Sequence, residues 1–546
     1  MIEDLLKVTS NILEEKNYAI QIVNDGICVK KSVEGYEVEV ICRLGKYFPY
    51  EFPAIYASDE TWKNVPAMPH KNTDGSICTF DKNIAVPNYD KPKELIVETI
   101  EQAFKIISDG IKGTNRIDYM DEFLEYWRTK SDEVVSLFVE NNLKSTEIYA
   151  INKDGIIVAS DDIDRLFEIH QSTLGQSIDN LTRGLFIVTD GNSANTIPKT
   201  DVDFLRYCKE NSRDWNKLEL FIQNNINTSS FYVVVCECVD NTSKFFGWRF
   251  NGPGVPNGFR KGHVDLGLAF SGSKSRGKAV VINDCSQRRL FTRGGDGRDT
   301  NVKKVCIVGC GSIGSYVAEA LMNSGVECFT LVDNDVLTCE NVARHFNGFE
   351  YIGCSKVNAV KQKMCMHNPN IKCEANLVNA FEFFNTNIDS INQCDLTVLA
   401  VAYSPLEQYV IEKINAAEVT SPVLIIWIEP YAVAGHAILI SKPLDVFNEL
   451  FDTNTLEYQY RVVENPETFN KREAGCQSSY MPYAALEEKS MIYSILVPCI
   501  KRYIKTGNSY RFTWCGDLYD ARKRGIIINK NYEDAANYSL TVERLD

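Results

Sequence analysis

The feature that most constrains this chain is a glycine-punctuated segment between residues 302 and 333. Val302–Val308 reads as a buried strand and is followed at once by Gly309-Cys310-Gly311-Ser312-Ile313-Gly314. A helical pattern then runs through Leu321, and Cys328–Val332 reads as a second strand. Strand, turn, helix and strand in that order specify a parallel pair joined by a crossover helix. Glycines at this spacing allow a tight turn and a close backbone approach, and the helix start presents free N–H groups to an anion. Asp333 lies 19 residues beyond Gly314, at the end of the second strand, where a carboxylate can accept hydrogen bonds from ribose hydroxyls. These residues alone fit a nicotinamide dinucleotide as well as any other nucleotide.

The residues after Asp333 narrow the choice. Asp335, Asn341, Arg344 and Lys356 follow, with Gly353 before the lysine. A dinucleotide's pyrophosphate is held mostly by backbone and needs no cations there. A triphosphate attacked at its α-phosphate by a carboxylate does need fixed positive charge, and Arg344 with Lys356 would supply it. The series GxGxxG, DxD, NxxRH and GxxK resembles the adenylation domain of the ubiquitin-activating and ThiF superfamily, over about residues 288–445. The resemblance implies ATP and Mg²⁺ as cofactors, with Asp333 on the ribose and Asn341, Arg344 and Lys356 on the phosphates. Arg293 stands where that family often carries an arginine that reaches the triphosphate of a partner subunit. Two departures are visible: His345 replaces a usual glutamine, and Leu399–Ser404 lacks the aspartate that commonly holds magnesium. Asp335 or Glu429 is then the candidate carboxylate for the metal.

Length and composition bound the rest. At roughly 150 residues per domain, 546 residues predict three or four domains. The hydrophobic share of 44% and charged share of 24% exclude a mainly disordered chain. A net charge of −15 argues against coating nucleic acid or anionic lipid. The 18 cysteines are scattered and include no CxxC, which excludes a structural zinc site of paired CxxC hooks. The N-terminal stretch shows no basic-then-apolar leader and no run approaches a membrane span, so a reducing cytoplasm is the expected compartment.

Three segments follow, a multidomain α/β and α+β organisation. Residues 1–145 read as a helix, a meander of short strands, a proline-rich loop from Phe48 to Phe80, and helices near Glu94–Ser108 and Asp121–Leu143. Residues 146–285 read as a mixed domain or connector of unknown role, with strand-like pieces at Glu147–Ile151, Gly155–Ala159, Leu185–Thr189 and Phe231–Val235. Residues 286–546 read as a Rossmann-like domain with further α/β alternation. Gly272–Ala279 nearly spells a P-loop, but Ala279 replaces the Ser/Thr that ligates magnesium and Val280-Val281-Ile282 reads as a strand, so a basic turn is expected.

Two cysteines carry the remaining chemistry. Cys476, in Ala474-Gly475-Cys476-Gln477, precedes a helical stretch at Ala484–Pro498, and a helix start favours thiolate. The segment resembles the catalytic-cysteine segment of bacterial members of the same superfamily, where cysteine captures the acyl group as a thioester; Cys499 and Cys515 are the two thiols downstream of it. Cys78 lies in Pro69-His70-Lys71-Asn72 followed by Gly75-Ser76-Ile77-Cys78, downstream of Phe48-Pro49 and Pro53. This resembles the ubiquitin-conjugating fold over about residues 1–145, with lysine in place of the usual proline and a shorter gap to the cysteine. Cys78 would be the acceptor thiol, Asn72 the oxyanion donor, and His70 a loop-ordering residue.

A conjugating half followed by an adenylating half resembles the bacterial ubiquitin-transferase-like fusions of CBASS antiphage operons, a likeness shared by Trp427-Ile428-Glu429-Pro430 and Gly435-His436. It implies a relay in which a protein C-terminal carboxylate is adenylated, captured on Cys476, passed to Cys78 and joined to an amine acceptor. By that resemblance the carboxylate belongs to the operon's cyclic-oligonucleotide synthase (the CD-NTase), and the enzyme is a homodimer. The alternatives are the same relay for another ubiquitin-like modifier, a sulfur-carrier adenylator, a nicotinamide oxidoreductase and a non-catalytic scaffold.

Overall fold

A computed structural model describes residues 2–24, 26–66, 68–72, 74–81, 84–139, 144–153, 155–174, 181–190, 198–239, 242–271, 276–295, 300–452, 454–455, 457–472, 479–482 and 484–545. The chain divides into two compact units: Met1–Asp162 with Ile178–Asp284, and Ile163–Ser177 with Cys285–Asp546. Among the described residues no helix is long and apolar enough to cross a membrane.

The first unit opens with the helix Ile2–Glu15 and a five-stranded antiparallel meander in chain order. Its strands are β1 (Ala19–Val23), β2 (Gly26–Val33), β3 (Tyr36–Arg43), β4 (Ala54–Ala57) and β5 (Ser76–Ile77). The alternation at residues 38–42 puts Val38, Val40 and Cys42 on one face, where they meet Ile27 and Val29 of β2. The helix Pro92–Lys112 covers that face with Ile96, Ile100 and Ile107. It begins at a proline and stops at Gly113, whose φ of 72° gives the left-handed cap a helix end favours.

A second sheet in the same unit closes into a barrel of seven strands, ordered β10-β11-β12-β6-β8-β7-β9. They are β6 (Val134–Phe138), β7 (Thr146–Lys153), β8 (Ile156–Ser160), β9 (Leu181–Thr189), β10 (Phe231–Val239), β11 (Thr242–Phe250) and β12 (Lys278–Asp284). Most of the segment read as a mixed domain or connector thus belongs to this barrel. Two expectations are corrected. The helix expected to run to Leu143 stops at Arg128, and Val134–Phe138 is a strand paired on both sides, with β12 and with β8. The boundary expected near 145 falls inside the barrel, because β6 already belongs to it. Lys278–Asp284 is a strand, as the dismissal of a P-loop there requires; residues 272–275 lie outside the described residues.

The helix Arg116–Arg128 locks onto the barrel through Phe123 and Trp127. Trp127 is 1% exposed, meets Phe246 edge-on at 5.1 Å, and donates its indole N–H to the Val280 carbonyl at 2.9 Å. Both features tie a helix of the conjugating-like segment to the barrel. Trp127→Ala should cost about 3–5 kcal/mol of unfolding free energy, read from the denaturant midpoint. Trp127→Phe should cost less, and an unchanged midpoint for the alanine variant would contradict this packing.

The second unit is built on an eight-stranded sheet ordered β15-β14-β13-β16-β17-β18-β21-β22. The strands are β13 (Lys304–Val308), β14 (Cys328–Val332), β15 (Lys372–Asn376), β16 (Leu396–Leu399), β17 (Val423–Ile428), β18 (Ala434–Ile440), β21 (Tyr510–Cys515) and β22 (Ser539–Arg544). Strands β13 to β17 are parallel, and β18, β21 and β22 extend the sheet antiparallel. The helices Ser312–Asn323, Lys356–His367 and Ala485–Pro498 pack on one face, and Ser404–Asn415 covers the other. The chain leaves β13 toward β14 and β15, then returns to β16 on the opposite side. That reversal opens a crevice at the carboxyl ends of β13 and β16, where ligands bind in such sheets. Short strands β19 (Lys471–Arg472) and β20 (Ser479–Tyr480) pair with each other; Cys476, between them, lies outside the described residues.

Candidate active sites: a phosphate cradle and a histidine-held cysteine

The crevice is shaped by backbone contacts that side chains would block. Gly309 has φ of 92°, and a Cβ there would sit 2.7 Å from the Ala400 carbonyl oxygen at the end of β16. A Cβ on Gly314 would lie 1.8 Å from the Gly309 oxygen, so the helix can approach the strand only as glycine. Beside Gly311 there is open space, at the N-cap of the helix Ser312–Asn323. The free N–H groups and dipole of that helix start make this a place for phosphate.

Asp333 sets the loop. Its Oδ2 accepts the Cys310 N–H at 2.7 Å and its Oδ1 accepts the Asp335 N–H at 2.8 Å. The Asp335 carboxylate meets Lys356 Nζ at 2.8 Å, and the Asp335 carbonyl accepts the Lys356 N–H at 2.9 Å. Lys356 stands at the first position of its helix, where a cation opposes the helix dipole. Its position is therefore maintained by Asp335. Asn341 accepts the Thr338 N–H at 3.0 Å, capping the short 3₁₀ helix Cys339–Arg344 that ends on Arg344.

The residues after Arg344 strap the loop down. The Ser312 hydroxyl donates to the Arg344 carbonyl, and the Tyr316 hydroxyl donates to the His345 carbonyl at 3.1 Å. His345 Nδ1 accepts the Asn347 N–H at 3.0 Å, so the proton sits on Nε2, which donates to the Cys310 carbonyl at 2.8 Å. Burial holds this imidazole below its ordinary pKa, which keeps that neutral tautomer. His345, noted in the sequence only as a departure, is a clamp on the glycine loop. Nothing local announces it, because its partner lies 35 residues away.

Glu429 is corrected as a metal candidate. Its Oε1 accepts the Val462 N–H at 2.7 Å and meets His436 Nε2 at 2.7 Å, while its Oε2 accepts the Val463 N–H at 2.6 Å. Buried and fully engaged, it anchors chain at residues 462–463. Asp335 is the carboxylate left exposed in the crevice, and among the described residues no group of three or more His, Cys, Asp or Glu is placed to cage a metal. Arg293 is exposed near the end of the helix Gln287–Gly294. Phe291 and Gly295 beside it face Ala320, Asn323 and Ser324, at the end of the loop helix remote from the cradle. Cys499 and Cys515 are buried, with burial pushing their thiols up to about 12 and about 11. Neither is a reactive nucleophile.

In the first unit, the loop before β5 is a tight hairpin. Cys78 N–H donates to the His70 carbonyl at 2.9 Å, Lys71 bridges Ile77, and Asn72 N–H donates to the Ser76 carbonyl at 2.8 Å. This register sets His70 opposite the exposed Cys78. Asn72 lies toward the hairpin tip and donates its side-chain amide to Ser76 Oγ at 2.9 Å; the side chain that meets the cysteine is His70. The His70 ring is gripped from the helix Arg116–Arg128: Nδ1 lies 2.7 Å from Glu122 Oε1 and Nε2 lies 3.0 Å from Asp118 Oδ2. Glu122 also accepts the His70 N–H at 2.8 Å. The Cys78 thiol, Glu122 and Asp118 push the imidazole up to about 10 against the opposing effect of burial. His70 is thus an imidazolium at neutral pH, beside the thiol. Asp118 and Glu122 were not found by sequence reasoning; their i, i+4 spacing puts them on one helix face but does not say what they face.

Comparison with known proteins agrees with this division of labour. Residues 8–136 match the Prokaryotic E2 family B and residues 287–454 match the ThiF family. The class so defined is an ATP-dependent ubiquitin-transferase-like enzyme, a fusion of a conjugating-type segment and a ThiF-type adenylation segment. Over 430 residues the chain is 22% identical to the ATP-dependent ubiquitin transferase-like protein Cap2 of Pseudomonas aeruginosa, covering 77% of each chain. It is 29% identical over 147 residues to the tRNA threonylcarbamoyladenosine dehydratase of Escherichia coli, covering 25% of this chain and 48% of that one. Among solved structures, E. coli MccB with ATP aligns over 42% of this chain at 19% identity, with a TM-score of 0.29. The alignment spans 63% of the MccB chain, just under two thirds.

Two predictions follow from the two sites. His345→Ala leaves the Cys310 carbonyl and Asn347 N–H without partners, at about 1–3 kcal/mol each, and should weaken nucleotide binding measured by calorimetry. His345→Gln keeps a donor for Cys310 and should retain most of the affinity; equal loss in both variants would contradict the clamp. For His70 the folded pKa is raised, so its stabilisation is complete below about pH 6.5 and is lost as pH rises toward about 10. The melting-temperature gap between wild type and His70→Gln should close across that window, and a gap constant with pH would refute the imidazolium.

Proposed function

We propose that this chain activates the C-terminal carboxylate of a protein with ATP, carries it as a thioester on Cys476, transfers it to Cys78 and joins it to an amine. The observation that carries the reading is the exposed Cys78 held against the His70 imidazolium, in a chain whose other unit offers a phosphate cradle flanked by Arg344 and Lys356.

In the first step a carboxylate oxygen attacks the α-phosphorus of ATP and pyrophosphate leaves. Asp333 orients the ribose, Gly311 admits the phosphates to the helix start, and Arg344 and Lys356 balance the charge that develops. Magnesium would enter with the triphosphate, with Asp335 as its carboxylate, since Mg²⁺ at nucleotide sites is held by one or two carboxylates and the phosphates; it would screen phosphate charge. The Cys476 thiolate then attacks the acyl carbon and AMP leaves. The Cys78 thiolate attacks that thioester and frees Cys476. Finally an amine attacks the Cys78 thioester, loses its proton to solvent and releases a thiolate that the His70 cation stabilises. Carrying both thiols on one chain raises their effective concentration for each other.

Similarity to the Cap2 proteins supports the finer reading: the substrate is the cyclic-oligonucleotide synthase of an antiphage operon, the acceptors are cellular amines, and the enzyme works in a reducing cytoplasm. Arg293, exposed and near the end of the loop helix remote from its own cradle, suits a homodimer in which it reaches the partner's triphosphate.

The test is intact mass and a non-reducing gel after mixing the protein with Mg·ATP and the neighbouring synthase. The expected result is a thiol-labile adduct that reaches Cys78 only while Cys476 is intact and is held on Cys476 in Cys78→Ala. Among the described residues Cys339 and Cys354 are the other exposed thiols. An adduct that persists in Cys476→Ala would reassign the first acceptor. Transfer of a different modifier in place of the synthase would preserve the relay and replace its substrate.

A further inference from the structure

One buried acid lies against the nucleotide loop without a role in the chemistry above. Glu488 stands in the first turn of the helix Ala485–Pro498 and is 1% exposed, and neither carboxylate oxygen has a hydrogen-bond partner of normal geometry. That helix packs on Ser312–Asn323, the helix whose start forms the cradle. Glu488 faces the Ser312 side chain at that start, Arg344 from the 3₁₀ helix, and Lys489 from its own helix. Three other charged groups on the elements packed there act elsewhere. His436 on β18 pairs with Glu429, Arg511 on β21 pairs with Glu543, and Glu319 of the loop helix acts on Tyr493. Lys489 itself lies over the Tyr316 ring at 4.2 Å.

Proton accounting decides which form of Glu488 fits. The single Ser312 hydroxyl proton is spent on the Arg344 carbonyl. Ser312 can therefore offer Glu488 only a lone pair. A carboxylate has nothing to give a lone pair, whereas a carboxylic acid donates to it. An ionised Glu488 would also compete with phosphate for the positive end of the same helix, in surroundings of low dielectric.

We propose that Glu488 is a positioning residue of the nucleotide site: protonated, it donates to Ser312 Oγ and supports the loop and the Arg344 carbonyl, whereas its ionised form opposes phosphate. Nucleotide binding then draws a proton from solvent. Burial pushes the free acid up to about 7, which places the effect in the neutral range. Between about pH 6 and about pH 8 the loss of the protonated form weakens binding about tenfold. The inference rests on the nucleotide reading above.

The test is calorimetric binding of Mg·ATP to the full chain at those two pH values, for wild type and Glu488→Gln. The amide donates to Ser312 and carries no charge. The two proteins should bind alike near pH 6, and the variant should bind about tenfold more tightly near pH 8. Wild type should take up close to one proton per nucleotide there, read from buffers of different ionisation enthalpy, beyond any uptake by the variant. Identical pH profiles would overturn the role of Glu488 and leave the nucleotide site intact. A folded protein that binds no ATP at either pH would overturn the nucleotide reading and this inference together.

Discussion

The hydrogen bond from the Cys310 N–H to Asp333 Oδ2, 2.7 Å long, is the constraint on which the adenylation unit depends. It ties the glycine loop after β13 to the end of β14. Once the loop is fixed on that side, His345 closes it from the other by holding the Cys310 carbonyl. Both backbone groups of one residue are thus gripped by side chains 23 and 35 positions away. The loop is pre-organised, so phosphate binding need not order it first. The same clamp determines where Arg344 ends, because Ser312 holds the Arg344 carbonyl and Tyr316 holds the next. The backbone of Arg344, one of the two cations proposed to meet the phosphates, is thus placed by these two contacts.

The conjugating unit solves a comparable problem with charge. Cys78, the proposed acceptor, is exposed on a short hairpin, and a hairpin of that length is marginal alone. Glu122 and Asp118 grip His70 across the register, while Trp62 donates to the Gly75 carbonyl at 3.2 Å and pins the tip. His70 adopts φ of 67°, a left-handed conformation that histidine tolerates better than most residues but that costs energy without compensation. Three hydrogen bonds to carboxylates compensate it and leave a cation beside the thiol. The helix that carries those carboxylates is in turn fixed by Trp127 in the barrel, so the barrel supports the placement of His70.

What was legible in the sequence was what neighbours in sequence decide. Gly309, Gly311, Gly314 and Asp333 form a contiguous strand–turn–helix–strand unit whose geometry follows from local pattern, and the hairpin from His70 to Cys78 is equally short. The helix wrongly extended to Leu143 failed because Val134–Phe138 satisfies either period in isolation, and pairing with β12 and β8, partly through residues far along the chain, settles it. The barrel stayed hidden for the same reason, since β6 pairs with β12 across some 145 positions (Val134 with Val281). Glu429 looked available as a ligand because two of its three partners, the Val462 and Val463 N–H groups, belong to the backbone and carry no sequence signature.

The central claim is that this chain forms an acyl-adenylate, and isotope exchange between ATP and pyrophosphate measures that step before either cysteine acts. In the presence of the carboxylate-ended synthase, exchange should persist in a Cys476→Ala, Cys78→Ala double variant and collapse in Arg344→Ala and Lys356→Ala. Exchange that requires the cysteines, or that survives loss of both cations, would contradict the account.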